Sequence, residues 1–207
     1  MSDIPATDAR RYHHGDLSRA LIDAARRLLE AEGQSALSLR AVAREAGVSP
    51  AAPYHHFKDK GELLDAVAQE GWTLLDAALV KAKAEAPDIH QALTELGVAY
   101  VCFARDNPAL YRVMYDTARE KEALPERMQN GEDNSYSKVR DVLIEAGGDP
   151  NDSLDLELAT SAAWCSAHGL AEMAGFKQFD HLKDACGGET AFFRAIFNHM
   201  GLAPRRR

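Results

Sequence analysis

Two groups of side chains in this sequence have the types and spacing to do chemistry. The first is Trp164-Cys165-x-x-His168-Gly169, where a thiol and an imidazole stand one helical turn apart. Zinc would need at least one further ligand, and none stands at a recognisable spacing. As a nucleophile and base, the pair lacks an orienting third group and an oxyanion hole. What the spacing supports is a wall, because Trp164 and His168 are i, i+4 and share one face. Tyr100, Phe103 and Tyr111, with Met114 and Tyr115, can face that wall as an apolar pocket with a few polar handles. The same residues also read as an ordinary core in which His168 bonds a backbone carbonyl. The second group is Tyr54-His55-His56. Neighbouring histidines on a helix diverge by about 100°, so His55-His56 and His13-His14 suit solvent or DNA better than a shared metal. No metal and no cofactor is expected.

The elements that position the second group are short. Leu39, Val42, Ala43 and Ala46 follow the i, i+3, i+4, i+7 spacing of one helical face, with Ser38 before them as an N-cap. Gly47 stops that helix, because glycine enters the left-handed region without a Cβ penalty. Ser49-Pro50, an N-cap with proline at the first helical position, opens a second helix to about Phe57. Two short helices joined by a glycine turn are a helix-turn-helix, whose second helix enters the major groove of DNA. Many αα corners share this form without touching nucleic acid. The small alanines and polar aromatics of the second helix favour a groove over a core.

The segment Leu37 to Leu64 resembles the DNA-binding domain of the TetR family of bacterial transcriptional repressors. It has Ala46-Gly47-Val48-Ser49, then Tyr54-His55-His56-Phe57, then Lys60 and Leu63. The resemblance implies that Ser38, Arg40, Ser49, Tyr54 and Lys60 hold phosphates. Pro50, Ala51 and His55 would then face base edges. Phosphate contacts set register and base contacts set sequence. The chain departs from the family in carrying Pro50-Ala51-Ala52-Pro53 where a Gly-Thr or Gly-Ser pair is common. Alanine and proline donate nothing to bases, so thymine methyl contacts and DNA shape carry more of the specificity. The Trp164, His168-Gly169 spacing resembles a subgroup of the same family.

Composition agrees with one DNA-touching surface. The 207-residue chain has a net charge of −8. Residues 1–60 carry nine Lys/Arg against eight Asp/Glu, while residues 61–207 carry fifteen against twenty-four. The acidity therefore belongs to the second part. No run reaches the roughly eighteen apolar residues that cross a bilayer, and the first residues lack an apolar signal core. The expectation is a soluble, cytoplasmic protein. Cys102, Cys165 and Cys186 form no C-x-x-C and read as buried thiols.

Taken in order, residues 1–14 form a polar arm whose Arg10, Arg11, His13 and His14 either reach DNA or stay solvated. Asp16 caps a helix from Leu17 to Glu32, with Leu21, Ala24 and Leu28 inward. A long helix from about Lys60 to Glu85 joins the two domains and can act as a lever. Helices follow from Asp88 to about Asp106, from Asn107-Pro108, from Leu124 to Ala146, from Asp149-Pro150 to Ala174, and after Gly187-Gly188. The predicted fold is all-α with about nine helices. Residues 1–62 form a three-helix helix-turn-helix domain and residues 63–207 a ligand-binding and dimerisation domain.

Phe192, Phe193, Ile196 and Phe197, with Ala159, Ala162, Ala163 and Ala167, are more apolar surface than one subunit can obviously cover, with packing inside the subunit as the competing reading. They predict a four-helix dimer interface formed by the last two long helices of each subunit. The function expected is that of a homodimeric repressor, not an enzyme, on a palindromic operator. A small, mostly apolar effector would release it by shifting a two-state equilibrium. An all-helical enzyme or a carrier using the Trp164/His168 cavity are the rivals, and neither accounts for the motif from Gly47 to Lys60.

Overall fold

A computed structural model describes residues 14–121 and 133–201. They form nine α-helices and three 3-10 turns, with no strand among them. The chain is all-α, as its periodicity indicates, and divides into two compact units between Val67 and Ala68. No described helix is long and apolar enough to cross a membrane.

The first unit opens with α1 (His14–Glu32), which buries Leu21, Ala24, Ala25 and Leu28. This helix starts ahead of the predicted Leu17, so Asp16 lies inside it rather than capping it. Arg10, Arg11 and His13 of the predicted arm lie outside the described residues. After a turn at Gln34–Ala36 comes α2 (Leu39–Glu45), capped by Ser38 Oγ, which accepts from the Ala41 N–H at 3.1 Å. Gly47, at φ 69°, ends it. Its N–H donates to the Arg44 carbonyl at 3.2 Å, and the Val48 N–H donates to the Ala43 carbonyl at 2.9 Å. These paired reverse bonds are a Schellman stop.

The segment after the turn departs from expectation. Instead of an α-helix to Phe57 there is a single 3-10 turn, Ala52–His55. Its N-cap is Ala51, with no side-chain cap, and not Ser49. The physical reason is Pro53. It has no N–H for the Ser49 carbonyl, so the i→i−4 bond is lost and the tighter i→i−3 pattern takes over. The Ser49 carbonyl accepts from the Ala52 N–H at 3.0 Å instead.

The division between units falls inside α3 (Lys60–Glu85). In the second unit α3 buries Trp72, Leu75 and Leu79. Next comes α4 (Ile89–Asp106), where Asp88 caps by accepting from the Gln91 N–H at 2.9 Å. It is followed by α5 (Pro108–Glu120) and α6 (Ser135–Glu145). The helix predicted from Leu124 is described only from Ser135, where Asn134 and Ser137 form a capping box. Ser135 Oγ donates to the Asp76 carboxylate and ties the start of α6 to α3. The last elements are α7 (Ser153–Met173), α8 (Asp180–Ala185) and α9 (Glu189–Met200). The sequence reading did not foresee α8, which buries no residue and so has no apolar stripe to read.

The core of this unit is α4, packed by α7, α9, α6 and α5. Gly97 lets α9 approach, since a Cβ there would lie 2.7 Å from the Phe197 ring. The predicted interface needs correction. Phe192, Phe193 and Phe197 are 2, 0 and 3% exposed and pack within the unit, as do Ala163 and Ala167. The apolar face left open lies on α7, itself one of the two predicted helices, where Leu154 and Leu158 are 69 and 61% exposed, Met173 47% and Ala162 is exposed as well, while Ala159 and Ile196 are half-buried. Cys165 and Gly169 lie between them at helical spacing and are also exposed. The thiols are not buried as expected. Cys165 and Cys186 are exposed and Cys102 is half-buried.

Candidate functional site

The first candidate surface is the helix-turn-helix. Ser38, Arg40, Ser49, Pro50 and Ala51 are exposed, as are Tyr54 and His55. Their display follows from what lies beneath: Pro53 and Phe57 are buried, and the half-buried His56 ring stands 6.4 Å from that of Phe57. The 3-10 turn is thus anchored by two apolar residues and projects Tyr54 and His55 outward. Lys60 is half-buried, and its Nζ donates to the Gln34 carbonyl at 2.9 Å. That bond ties the start of α3 to the Gln34–Ala36 turn, a structural role the motif does not reveal. Arg44 and Lys58 are further exposed cations of this unit. Neither was singled out by the sequence reading, although the Tyr-x-His-Phe run directly precedes Lys58.

In the second unit three buried tyrosine hydroxyls converge with the half-buried His168. The Tyr100 hydroxyl bonds that of Tyr111 at 3.1 Å and also that of Tyr115. The Tyr111 hydroxyl lies 2.5 Å from His168 Nδ1, and that of Tyr100 3.4 Å from the same atom. His168 therefore meets tyrosine hydroxyls and not the backbone carbonyl that the core reading supplied. The Tyr115 ring packs 4.3 Å from the imidazole. Burial raises the Tyr111 pKa to about 12 and pushes those of Tyr100 and Tyr115 well above the usual phenol value. Burial also lowers the pKa of His168, opposed by the nearby Glu172 carboxylate. The cluster is consequently neutral at pH 7: three protonated phenols and an uncharged imidazole.

Aromatic rings enclose this cluster. Trp164 stacks on Trp72 at 6.3 Å and meets the Tyr100 ring edge-on at 5.2 Å. Trp72, 2% exposed, was missing from the predicted site. Its signal was its place one turn after Ala68 and before Leu75 on the inward stripe of α3. The predicted pocket residues fall into three groups. Tyr100 and Trp164 line a narrow apolar cavity of about 20 Å³, with Leu79, Leu93, Val139 and Phe197. Tyr111 and Tyr115 line an open cleft of about 510 Å³ whose charged rim includes Arg112, Arg119 and Glu172. Phe103, Met114 and the half-buried His168 line neither space; Met114 lies against Gly71, where a Cβ would come within 2.5 Å of its sulfur. Among the described residues no three His, Cys, Asp or Glu side chains gather as a metal site.

A helix-turn-helix unit, followed along the chain by a helical unit with a buried polar cluster, defines the class of DNA-binding regulators. The chain belongs to the TetR family of transcriptional regulators. Residues 21–67 match the bacterial regulatory proteins of the tetR family, and residues 93–199 match the tetracyclin repressor-like C-terminal domain. It is 35% identical over 107 residues to the HTH-type transcriptional regulator BetI of Rhizobium meliloti (strain 1021), covering 50% of this chain and 53% of BetI. The chain thus spans about half the length of that relative. Its structure is similar to that of a protein of unknown function from Rhodococcus sp. RHA1, with a TM-score of 0.74 and 32% identity over 94% of this chain and 100% of that one. A bacterial regulatory protein of the tetR family from Rhodococcus RHA1 gives a TM-score of 0.62 and 25% identity, over 89% of this chain and 94% of its own.

Proposed function

We propose that the protein is a homodimeric cytoplasmic repressor that binds a palindromic operator and leaves it when a small, mostly apolar ligand enters the second unit. The observation that carries this reading is the 3-10 turn at Ala52–His55, which rests on Pro53 and Phe57 and holds Tyr54 and His55 in solvent. Ser38, Arg40, Ser49, Tyr54 and Lys60 take phosphates, and Pro50, Ala51 and His55 face base edges. With no side-chain donor at Pro50 or Ala51, sequence is read through thymine methyls, DNA shape and His55.

The open apolar face of α7 supports the dimer. Leu154, Leu158 and Met173 leave large apolar area in water, which a symmetric copy would cover. Symmetry also doubles a small DNA contact, since one such module buries only roughly 600–1,000 Å² on DNA. Ligand binding then shifts the dimer between two states of different DNA affinity, with a coupling typically about 1–3 kcal/mol.

The test is selection from random duplex DNA by the full-length protein at two salt concentrations. A palindrome should emerge, with log K falling against log salt by roughly 0.9 per phosphate contact. A non-symmetric site, or affinity indifferent to salt, would contradict the reading.

A further inference from the structure

The open cleft of about 510 Å³ has the size of a small-molecule site, which runs to roughly 300–1,000 Å³. Small residues make the room. Ala104 on α4, with Ala171, Ala174 and Gly175 at and just after the end of α7, line it where longer side chains would fill it. Val101 and Ala104 are buried and give it an apolar floor. Six charged side chains stand around that floor: Arg105, Arg112, Asp116, Arg119, Glu172 and Glu189.

Four of the six are already matched. Arg105 pairs with Glu189 at 3.2 Å and with Asp106, outside the cleft, at 2.7 Å. Arg119 pairs with Asp116 at 3.3 Å. The other two are Arg112 on α5 and Glu172 on α7, both exposed, and neither enters an ion pair among the described residues. They are opposite in sign and come from different helices, so a guest with a single charge would answer one and leave the other unmatched. The tyrosine cluster does not tip the choice. At Tyr111 and His168 the charges of Glu172 and Arg119 act in opposite senses, which leaves selection to the two unmatched groups.

We propose that this cleft binds a small zwitterion with an apolar body. Its carboxylate pairs with Arg112, whose planar guanidinium presents two parallel N–H donors to such a group. Its ammonium donates to the Glu172 carboxylate, and its apolar part lies over Val101 and Ala104. This rests on the ligand-responsive reading above and adds to it the place of binding and the charged ends that the apolar body carries.

The test is calorimetric titration of the full-length protein, at low salt, with 6-aminohexanoate, 8-aminooctanoate and leucyl-leucine. Each is compared with its N-acetyl derivative, which lacks the positive charge, and its amide, which lacks the negative one. The zwitterion should bind about fivefold more tightly than either derivative, the upper end of what one solvent-exposed ion pair contributes. Arg112→Gln should lower affinity for the zwitterion about fivefold without weakening the amide. Glu172→Gln should lower it equally without weakening the N-acetyl derivative. Both side chains are exposed, so the fold tolerates either change. Added salt should erase the differences.

An amide or N-acetyl derivative that binds as tightly as its zwitterion would overturn the proposal. Equal losses for all three forms in either variant would also overturn it, by marking a general effect on the cleft. So would the absence of binding by every zwitterion, and release of the operator by an uncharged compound would then preserve the ligand-responsive reading alone. A zwitterion that binds with the expected pattern and leaves operator affinity unchanged would support the site and contradict that reading.

Discussion

Tyrosine and histidine come together twice in the described chain, and in the two places they face opposite ways. In the first unit Tyr54 is 53% exposed with His55 beside it. In the second, Tyr100, Tyr111 and Tyr115 are 2, 6 and 9% exposed and bond each other and His168. The same chemistry is presented in one unit and withheld in the other. An exposed hydroxyl meets an outside partner by giving up only water. A buried one has already found its partners, so a newcomer must replace bonds that hold the interior together. The first unit is thus suited to rapid contact with a charged surface, and the second to a response that changes its own packing.

The sharpest way to break this comparison is to delete a ring from each side. Trp72→Ala should cost about 3–5 kcal/mol, as a fully buried aromatic does. Tyr54→Ala should change stability by no more than about 0.5 kcal/mol. Urea unfolding of the two variants decides it, and equal losses would mean that Tyr54 is packed rather than displayed. A finer cut removes only the hydroxyls. Tyr100→Phe leaves two buried partners short of a bond and should cost about 1–3 kcal/mol, against less than about 0.5 kcal/mol for Tyr54→Phe. Similar small losses would show that the buried hydroxyls hold nothing.

The smallest effect is the response to pH. Burial lowers the His168 pKa below its ordinary 6.5, so the unfolded chain takes up the proton more readily than the folded one. The stabilisation from keeping this imidazole neutral is present above pH 6.5 and is lost as pH falls below that value. His168→Gln should flatten this part of the curve when urea midpoints are compared between about pH 5 and 8. Parallel wild-type and variant curves would remove His168 from the account.

The two units also differ in how far their sequence foretells them, for a physical reason. The Ser38 cap, the Gly47 stop and the stripe Leu39, Val42, Ala43 depend on residues a few positions apart, so local chemistry suffices. Even there, Pro53 changed an α-helix into a 3-10 turn, because one absent N–H outweighed the surrounding helical pattern. In the second unit the decisive contacts join residues far apart in the chain. Tyr100 and His168 meet across 68 positions, and no periodicity states which of two helical faces turns inward. Their grouping as pocket candidates was legible from type, but their division between cavity and cleft was not. The phenylalanines of α9 were misassigned for the same reason. A run of large apolar residues signals burial without saying whether its own subunit or a copy supplies the cover. Gly97 does supply it for Phe197, and small size at one position of α4 carries no such label in the sequence.

The central claim is that DNA is read by two copies through exposed, symmetric turns. The most direct test is an anisotropy titration of the selected operator beside the same duplex with one half-site scrambled. The account predicts two protomers per intact duplex, a large loss of affinity on scrambling, and a further loss for both duplexes as salt rises. One protomer per duplex, with equal affinity for the intact and scrambled sites, would contradict it.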